Sequence, residues 1–315
     1  MPLRRTHAAV IAVTACALAP ASAAAVTSGG ATAPVSAGTG VDAGGAVAGE
    51  ERTGSEPKVP SVSEPKAPSG SSSLDVTSLA LNGSHFYEHG RAMRATFSVA
   101  GRRGAAKLKL VFVQDGKRVK IIDLGERAAG SRHSATVPLA GLPSGALQVR
   151  ISGRDSRGRA VKGAAPVAID VRSHRFPVVG PHTFGGEGSR FGSDRDGGKR
   201  KHQGQDVSAA EGTPMVAARG GVVRTVANQP GGAGVYIVIR GAGENRDYVY
   251  MHLVEGSPTV KQGDTVRTGQ LIGKVGTTGA SSGPHLHFEI WQGAWQGGGT
   301  PVDPLPLLQS WDAWS

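Results

Sequence analysis

Three short segments of this sequence carry histidine and aspartate at spacings that could hold a metal ion. "KHQGQD" places His202 and Asp206 four residues apart across a glycine, and "PHLHFEI" places His285 and His287 one residue apart. A third segment, "DYVYMHLV", contributes His252. Imidazole nitrogen and carboxylate oxygen are common zinc ligands in proteins. Each spacing alone is weak evidence because it arises often by chance, so the elements that carry these residues must show whether they converge.

"PHLHFEI" predicts a β-strand that begins after a Gly-Pro pair. Side chains alternate between the two faces of a strand, so one face carries His285, His287 and Glu289. The opposite face is apolar, with Leu286, Phe288 and Ile290. The apolar face belongs in a core. No hydrophobic reason explains the polar face, which is therefore a candidate site.

The same alternation in "DYVYMHLV" predicts one apolar face and one face that carries His252. Val249, Met251 and Leu253 form the apolar face, and Tyr248 and Tyr250 lie on the face of His252. Residues 202 to 287 thus hold four histidines and one aspartate in these segments, more than the three protein ligands of a catalytic zinc. The surplus imidazoles are candidates for proton transfer or for stabilising a transition state.

The segments around these residues predict an all-β protein. From about Phe176 onward, short apolar runs alternate with glycine and proline, with no helical pattern of any length. Residues 173–315 are therefore expected to form one β domain. Residues 74–172 suggest about seven short strands, typical of a small β-sandwich that is immunoglobulin-like in outline. Within them, "KLVFVQDGKRVKII" predicts a hairpin with a two-residue Asp115–Gly116 turn.

The first 73 residues are predicted to contribute no folded domain. Residues 1–25 resemble an export signal, with Arg4 and Arg5 before a short apolar run and a small-residue cleavage site at Ala21–Ala23. Residues 26–73 form a linker rich in Pro, Ala, Gly and Ser, which cannot bury enough apolar surface to offset the entropy of ordering. No later segment reaches transmembrane length, so we expect an exported protein.

The single cysteine, Cys16, lies inside this signal. If cleavage follows Ala23 or Ala25, the mature chain has no cysteine, and a metal site must use nitrogen and oxygen ligands. "VTAC" also resembles a bacterial lipobox, in which the cysteine is lipidated and becomes the first residue. The apolar run continues past Cys16 and a good cleavage site follows, so we expect secretion and keep the lipoprotein as the alternative.

The positive charge is concentrated in the middle of the chain. Residues 74–172 hold 17 Lys and Arg against 7 Asp and Glu, a net charge of +10 out of +11 for the whole chain. A surface of one sign attracts polyanions and is screened by salt. For an exported protein, anionic cell-wall polymers are the expected partners and nucleic acid is not. The alternative is that the charge only keeps a small domain soluble.

Taken in order, "HQGQD", "YMHL" and "GPHLHFEI" closely resemble the motifs of the lysostaphin/LytM-type zinc metallopeptidases, the M23 peptidases. The resemblance covers about Phe176 to Leu305 and includes "SRFG" and "VKQGDTVRTGQLIGKVGTTG". It implies a small antiparallel β fold with a groove. It also implies hydrolysis of peptide bonds in bacterial peptidoglycan. Together with the export signal, this leads us to expect a monomeric, secreted, cell-wall-associated enzyme.

The resemblance implies that zinc binds to His202, Asp206 and His287, and that His252 and His285 are catalytic. Zinc lowers the pKa of a bound water from near 16 toward ~7, which supplies hydroxide at neutral pH. The two catalytic imidazoles would orient or deprotonate this water and stabilise the tetrahedral intermediate, with the division of roles left open. All five positions hold the expected residue type.

Several alternatives stay open at this point. A binding or amidase-activating protein of the same fold would need no chemistry, although the complete ligand set argues against it. Glu289 either accepts a hydrogen bond from a ligand imidazole or is a solvated strand residue. "SDRDGGKRK", just before His202, either shapes access to the groove or is a flexible surface loop. The peptidoglycan bond that is cleaved is not readable, because loops carry that specificity.

Overall fold

The computed structural model describes residues 72–315, which form two β-structures that follow each other along the chain. The predicted signal, the linker and the lipidation alternative at Cys16 lie outside the described residues. Among residues 72–315, no helix is both long and apolar enough to cross a membrane.

The first β-structure consists of two sheets around one core. Its strands are β1 (Asp75–Leu81), β2 (His85–Tyr87), β3 (Met93–Ala100), β4 (Ala105–Gln114), β5 (Lys117–Ala128), β6 (Ser131–Val137), β7 (Gly145–Asp155), β8 (Ala160–Val161) and β9 (Val167–Arg172). One sheet has the order β1-β3-β6, and the other has the order β2-β9-β7-β4-β5, with β8 beside β7. Phe97 and Phe112 are fully buried in the shared core.

In the first β-structure, buried and exposed side chains alternate as the sequence predicts. Leu108 and Leu110 of β4 are fully buried, while Lys107 and Lys109 are exposed. β4 and β5 form the predicted hairpin, and its turn residues Asp115 and Gly116 adopt φ of 48° and 76°. Only such left-handed turns match the twist of the paired strands. The immunoglobulin-like outline and the boundaries at residues 74, 172 and 173 stay predictions.

The second β-structure contains twelve strands and one helix. They are β10 (His182–Thr183), β11 (Asp194–Arg195), β12 (Arg200–Lys201), β13 (Gln205–Ala209), β14 (Pro214–Val216), β15 (Gly221–Gln229), β16 (Gly234–Gly241), β17 (Arg246–Leu253), β18 (Thr265–Val266), β19 (Leu271–Lys274), β20 (His285–Gln292), β21 (Thr300–Val302) and α1 (Leu305–Asp312). The main sheet has the order β10-β13-β20-β17-β16-β15-β18, with β21 beside β20. Two short 3-10 turns, Glu187–Ser189 and Asp196–Gly198, precede β13.

The all-β class is thus confirmed, with one departure. The sequence predicts no helix of any length in residues 173–315, whereas α1 spans eight residues. Leu308 and Trp311 of α1 are buried against the main sheet, next to Phe288 of β20. Because a helix of two turns shows only two core contacts, its period is too short to recognise in the sequence.

The loop after β2 contacts the second β-structure directly. The guanidinium of Arg219, which is only 5% exposed, donates a 2.8 Å hydrogen bond to the carboxylate of Glu88. It also donates to the carbonyl oxygens of Ser173 and Ala242. The carbonyl of His89 accepts a hydrogen bond from the backbone N–H of Thr268. A buried arginine is therefore satisfied from both β-structures.

Candidate metal centre

Three side chains meet at the junction of β13 and β20. Asp206 lies directly opposite His287 in this antiparallel pair, and His202 lies in the segment that leads into β13. The Nε2 atom of His202 is 3.0 Å from Oδ1 of Asp206 and 2.9 Å from Nδ1 of His287. The same Nδ1 is 2.9 Å from Oδ1 of Asp206. The sheet register thus brings together the three residues that the sequence predicts as ligands.

In His202 and His287, the ring nitrogen that points away from the cluster shows where the ring carries its hydrogen. Nδ1 of His202 lies 2.8 Å from the carbonyl oxygen of Arg190, which can only accept, so this nitrogen carries the hydrogen. Nε2 of His287 donates in the same way to Oε1 of Glu289, at 2.9 Å. For neutral rings, the three converging atoms therefore all present lone pairs, and a cation at their centre resolves the repulsion between them. Two imidazoles and one carboxylate are a set of donors that fits a divalent metal ion such as zinc.

The electrostatics of this cluster favour positive charge. Burial raises the pKa of Asp206, but its close contacts with the rings of His202 and His287 outweigh this effect and hold the pKa far below its usual range. Burial lowers the pKa of His287, yet hydrogen bonds to Asp206 and Glu289 raise it to about 9. The second oxygen of Asp206 accepts a 3.0 Å hydrogen bond from Arg195. The cluster is therefore built to hold a proton or a metal ion.

Gly204 allows the chain to bend between the first two ligands. A Cβ atom at this position would lie 2.4 Å from the carbonyl oxygen of Phe288 and 2.9 Å from Nε2 of His287. Any side chain would push the segment away from β20. The glycine inside "HQGQD" is thus a steric requirement for bringing His202 and Asp206 to the same point.

Two further imidazoles border the cluster. Nδ1 of His285 donates to the carbonyl oxygen of Gly283 at 2.8 Å, and Nδ1 of His252 donates to that of Thr278 at 2.7 Å. Each ring therefore keeps a lone pair on Nε2, and that of His285 lies 3.7 Å from Oδ1 of Asp206. The two ring centroids are 4.8 Å apart. Burial lowers the pKa of His252 to about 4, so this ring is neutral at physiological pH. Such a pair can accept and return protons next to a metal.

The predicted faces of β20 are confirmed. Those of β17 are wrong for residues 248 to 251 and correct for His252, which lines the groove, and for Leu253, which lies in the core. Tyr248 and Tyr250, which were assigned to the polar face, are fully buried in the main core with Phe288. Val249 and Met251, which were assigned to the core, lie on the site's side of the sheet and pack with Trp291. His252 reaches the site only because its φ of 64° breaks the alternation at the end of β17.

Two kinds of residue that support the candidate ligands were not predicted from the sequence. Oε2 of Glu289 accepts hydrogen bonds from the indole nitrogens of Trp291 and Trp295, at 2.7 and 3.0 Å. Arg195 fixes Asp206 from the hairpin formed by β11 and β12. Alternation along "HFEIW" could have placed Trp291 beside Glu289, but no local signal points to Trp295.

These residues line one open groove of about 870 Å³. His252, His285 and His287 form its floor together with His202 and Asp206. Its rim comes from the β11–β12 hairpin and from the turns at 229–233, 280–282 and 295–296. The segment "SDRDGGKRK" is thus part of the groove wall. An open groove that contains a His-Asp-His group able to hold a metal ion is consistent with a metallopeptidase.

Comparison with known proteins defines the family. Residues 200–304 match the model of peptidase family M23, and they are a domain of this family. Over 93 residues the chain is 47% identical to an uncharacterized metalloprotease of Haemophilus influenzae, which covers 29% of this chain and 18% of that protein. Over 108 residues it is 42% identical to the DD-carboxypeptidase/endopeptidase Mpg of Neisseria meningitidis, with 34% and 23% covered.

Among solved structures, the catalytic domain of the antimicrobial peptidase lysostaphin from Staphylococcus simulans is 33% identical. The match covers 38% of this chain and 89% of that domain, with a TM-score of 0.35. The chain spans less than a quarter of the length of the two curated relatives above.

Proposed function

We propose that this protein is an exported, monomeric zinc metalloendopeptidase that hydrolyses peptide bonds of bacterial peptidoglycan, in cross-links or stem peptides. One observation carries the proposal: three lone-pair donors of His202, Asp206 and His287 converge at 2.9 to 3.0 Å on the floor of a groove. The family supports it, and so does the name of the Neisseria relative, which calls that protein a carboxypeptidase and endopeptidase.

In this proposal Nε2 of His202, Oδ1 of Asp206 and Nδ1 of His287 hold the zinc ion. A zinc ion bound by three protein ligands polarises a carbonyl group and lowers the pKa of water to near 7. Arg195 holds the second oxygen of Asp206, which keeps the first oxygen directed at the cluster. Arg190 and Glu289 hold the other nitrogen of each ligand ring, so both rings keep the tautomer that metal binding requires.

His252 and His285 transfer the protons in this proposal. Their Nε2 atoms each keep a lone pair, because Nδ1 of each ring donates to a backbone carbonyl. One ring accepts a proton from the attacking water, and a protonated ring can then donate to the departing amine. An imidazolium also stabilises the oxyanion that develops as the peptide carbonyl is attacked.

The activity is tested on purified sacculi by mass spectrometry of the released muropeptides. Protein loaded with zinc should release fragments with new amino and carboxyl termini at one type of bond. Protein treated with chelator should release none, and added zinc should restore release. Release that persists without metal would contradict the zinc mechanism, and glycan cleavage without new peptide termini would contradict the reaction class.

For the middle of the chain, we propose a basic β-sandwich domain at residues 74–172 that binds anionic cell-wall polymers. Within the described residues, only Arg159 and Arg172 of its 17 Lys and Arg side chains form an ion pair with a carboxylate. The other cations are free for a polyanion, whose binding weakens with salt. Cosedimentation with walls before and after removal of the anionic polymers tests this. Equal binding to both preparations would contradict it.

For localisation, we propose that residues 1–25 are a cleaved signal and that residues 26–73 link it to the domains. Lipidation at Cys16 is the alternative. Metabolic labelling with a palmitate analogue separates the two, because only a lipoprotein loses its label in Cys16→Ala.

A further inference from the structure

Glu289 lies between a proposed zinc ligand and two tryptophans. Its side chain is 4% exposed, and all the hydrogen bonds that its carboxylate accepts come from nitrogen donors. Oε1 accepts from Nε2 of His287 at 2.9 Å. Oε2 accepts from the indole nitrogens of Trp291 at 2.7 Å and of Trp295 at 3.0 Å. Neither indole donates to any other group within residues 72–315, so both serve this single oxygen.

The two indoles fix the rotation of the carboxylate. With two donors on Oε2, the plane of the carboxylate is defined, and Oε1 is held toward His287. Without them, Oε2 would be buried and unpaired, which is unfavourable for a charged oxygen. The carboxylate would then turn toward other partners and release the ring of His287. The orientation of His287 therefore depends on groups two hydrogen bonds away.

The two tryptophans reach Glu289 from different elements. Trp291 follows it on the same face of β20, as strand alternation requires. Trp295 lies in the turn between β20 and β21, where Gly293 and Gln296 adopt φ of 92° and 52°. Its backbone N–H donates to Asp247 at 2.8 Å, and its ring packs on Tyr236 with centroids 5.3 Å apart. Contacts with Glu289, Asp247 and Tyr236 therefore hold this turn in place, and the turn also borders the groove.

We propose that Trp291 and Trp295 are positioning residues for the metal centre, which act through Glu289 to hold His287 with Nδ1 directed at the metal. The inference rests on the proposed zinc site. It concerns two residues that neither bind the metal nor form a hydrogen bond with a ligand ring. Its consequence is specific: loss of an indole N–H should weaken zinc binding even though every ligand is intact.

The experiment measures zinc affinity by competition with a chromophoric chelator, using the full chain. Trp291→Phe and Trp295→Phe each remove one donor and keep an aromatic ring. Loss of a residue that orients a zinc ligand typically lowers metal affinity ~10- to 100-fold. We expect the single variants near the lower end of this range and the double variant near the upper end. Trp311→Phe is the matched control, because Trp311 is buried against the same sheet on the core side.

A second measurement separates positioning from simple groove contact or misfolding. The rate of zinc loss to excess chelator should rise in Trp295→Phe, while the near-ultraviolet circular dichroism stays that of a folded protein. Replacing Trp295 by benzothienylalanine, which has sulfur in place of the indole N–H, should have the same effect with no change in ring size. This replacement tests the hydrogen bond even if the phenylalanine variant is poorly folded.

The outcomes are distinguishable. Equal zinc affinity in wild type, Trp295→Phe and the benzothienylalanine protein would overturn the inference and leave the zinc site standing. A raised KM with unchanged zinc affinity would assign Trp295 to substrate contact alone. If the wild type itself binds no zinc, the proposed function fails first.

Discussion

The groove contains two pairs of histidines that differ in what their ring nitrogens contact. His202 and His287 each point one nitrogen at Asp206 and hold the other on a fixed acceptor, Arg190 or Glu289. His252 and His285 hold Nδ1 on a loop carbonyl and keep Nε2 outside hydrogen-bond distance of any residue in 72–315. In the proposed mechanism the first pair binds a cation and the second exchanges protons. The pairs differ in the other ring nitrogen, which lies within hydrogen-bond distance of Asp206 in His202 and His287 but not in His252 and His285.

The largest effects should come from the ligand set. His202→Ala, Asp206→Ala or His287→Ala should each lose bound zinc and reduce peptide release from sacculi to background, because the pKa of water returns from ~7 to ~16 without the metal. Zinc content by mass spectrometry and muropeptide release measure the two effects together. His85→Ala, on β2, is the control. A ligand variant that retains both zinc and activity would contradict the assignment.

The second pair should separate activity from metal binding. His285→Ala and His252→Ala should keep zinc at one equivalent while kcat falls about 10²- to 10⁴-fold, the range for loss of a general acid or base. Steady-state kinetics on a soluble peptide, with zinc content determined on the same sample, tests this. Loss of zinc in His285→Ala with retention in His287→Ala would exchange the roles of the two residues in "HLH".

Gly204 provides a separate test of the first pair, because it lies between the proposed ligands His202 and Asp206 and closely approaches His287. Gly204→Ala should lower the free energy of unfolding by about 1–3 kcal/mol, the usual cost of overpacking, and weaken zinc binding as the segment moves off β20. Gly231→Ala is a matched control in the same groove, since a Cβ there meets no atom within 4 Å. Chemical denaturation of both variants measures the difference. Equal stability of the two would show that the close contact at Gly204 is relieved without cost.

The smallest effects should appear in the pH dependence of the metal-free protein. Burial lowers the pKa of His252 from 6.5 to about 4, so the unfolded state binds more protons and stability falls as pH drops from 6.5 to 4. Burial also lowers the pKa of His287, but Asp206 and Glu289 raise it to about 9. Its contribution is therefore complete below 6.5 and is lost as pH rises to 9. Each slope is at most about 1.4 kcal/mol per pH unit.

Substitutions assign these two slopes. His252→Gln should flatten the acid-side decline, and His287→Gln should flatten the alkaline one, in denaturation series recorded with excess chelator. If each substitution changed the opposite side, the two histidines would have the reverse protonation states.

The strand face on which a site residue lies could be predicted from the sequence wherever side chains alternate regularly along the strand. The face of β20 that carries His285, His287 and Glu289 follows from the period of a strand, and its apolar face is in the core. The prediction for the faces of β17 was wrong for two physical reasons. Tyr248 and Tyr250 look polar, but their hydroxyls find partners inside the core, and His252 leaves the strand geometry altogether.

The supporting residues are harder to predict because tertiary contacts place them. Trp295 lies in a turn held by Asp247, 48 residues away along the chain, and Arg195 reaches Asp206 across a short hairpin. Neither contact has a periodic signal. The motifs therefore predict which atoms bind and react, while the groove wall and the hydrogen bonds that fix the ligands require the structure.

X-ray diffraction at the zinc absorption edge, on crystals of the full chain, would locate the proposed metal ion. We expect one anomalous peak, coordinated by Nε2 of His202, Oδ1 of Asp206 and Nδ1 of His287 at about 2.0–2.2 Å. We also expect that His252 and His285 make no bond to the ion. A peak bound by His252 or His285 in place of His202 or His287, or no peak in protein that releases muropeptides, would contradict the proposal.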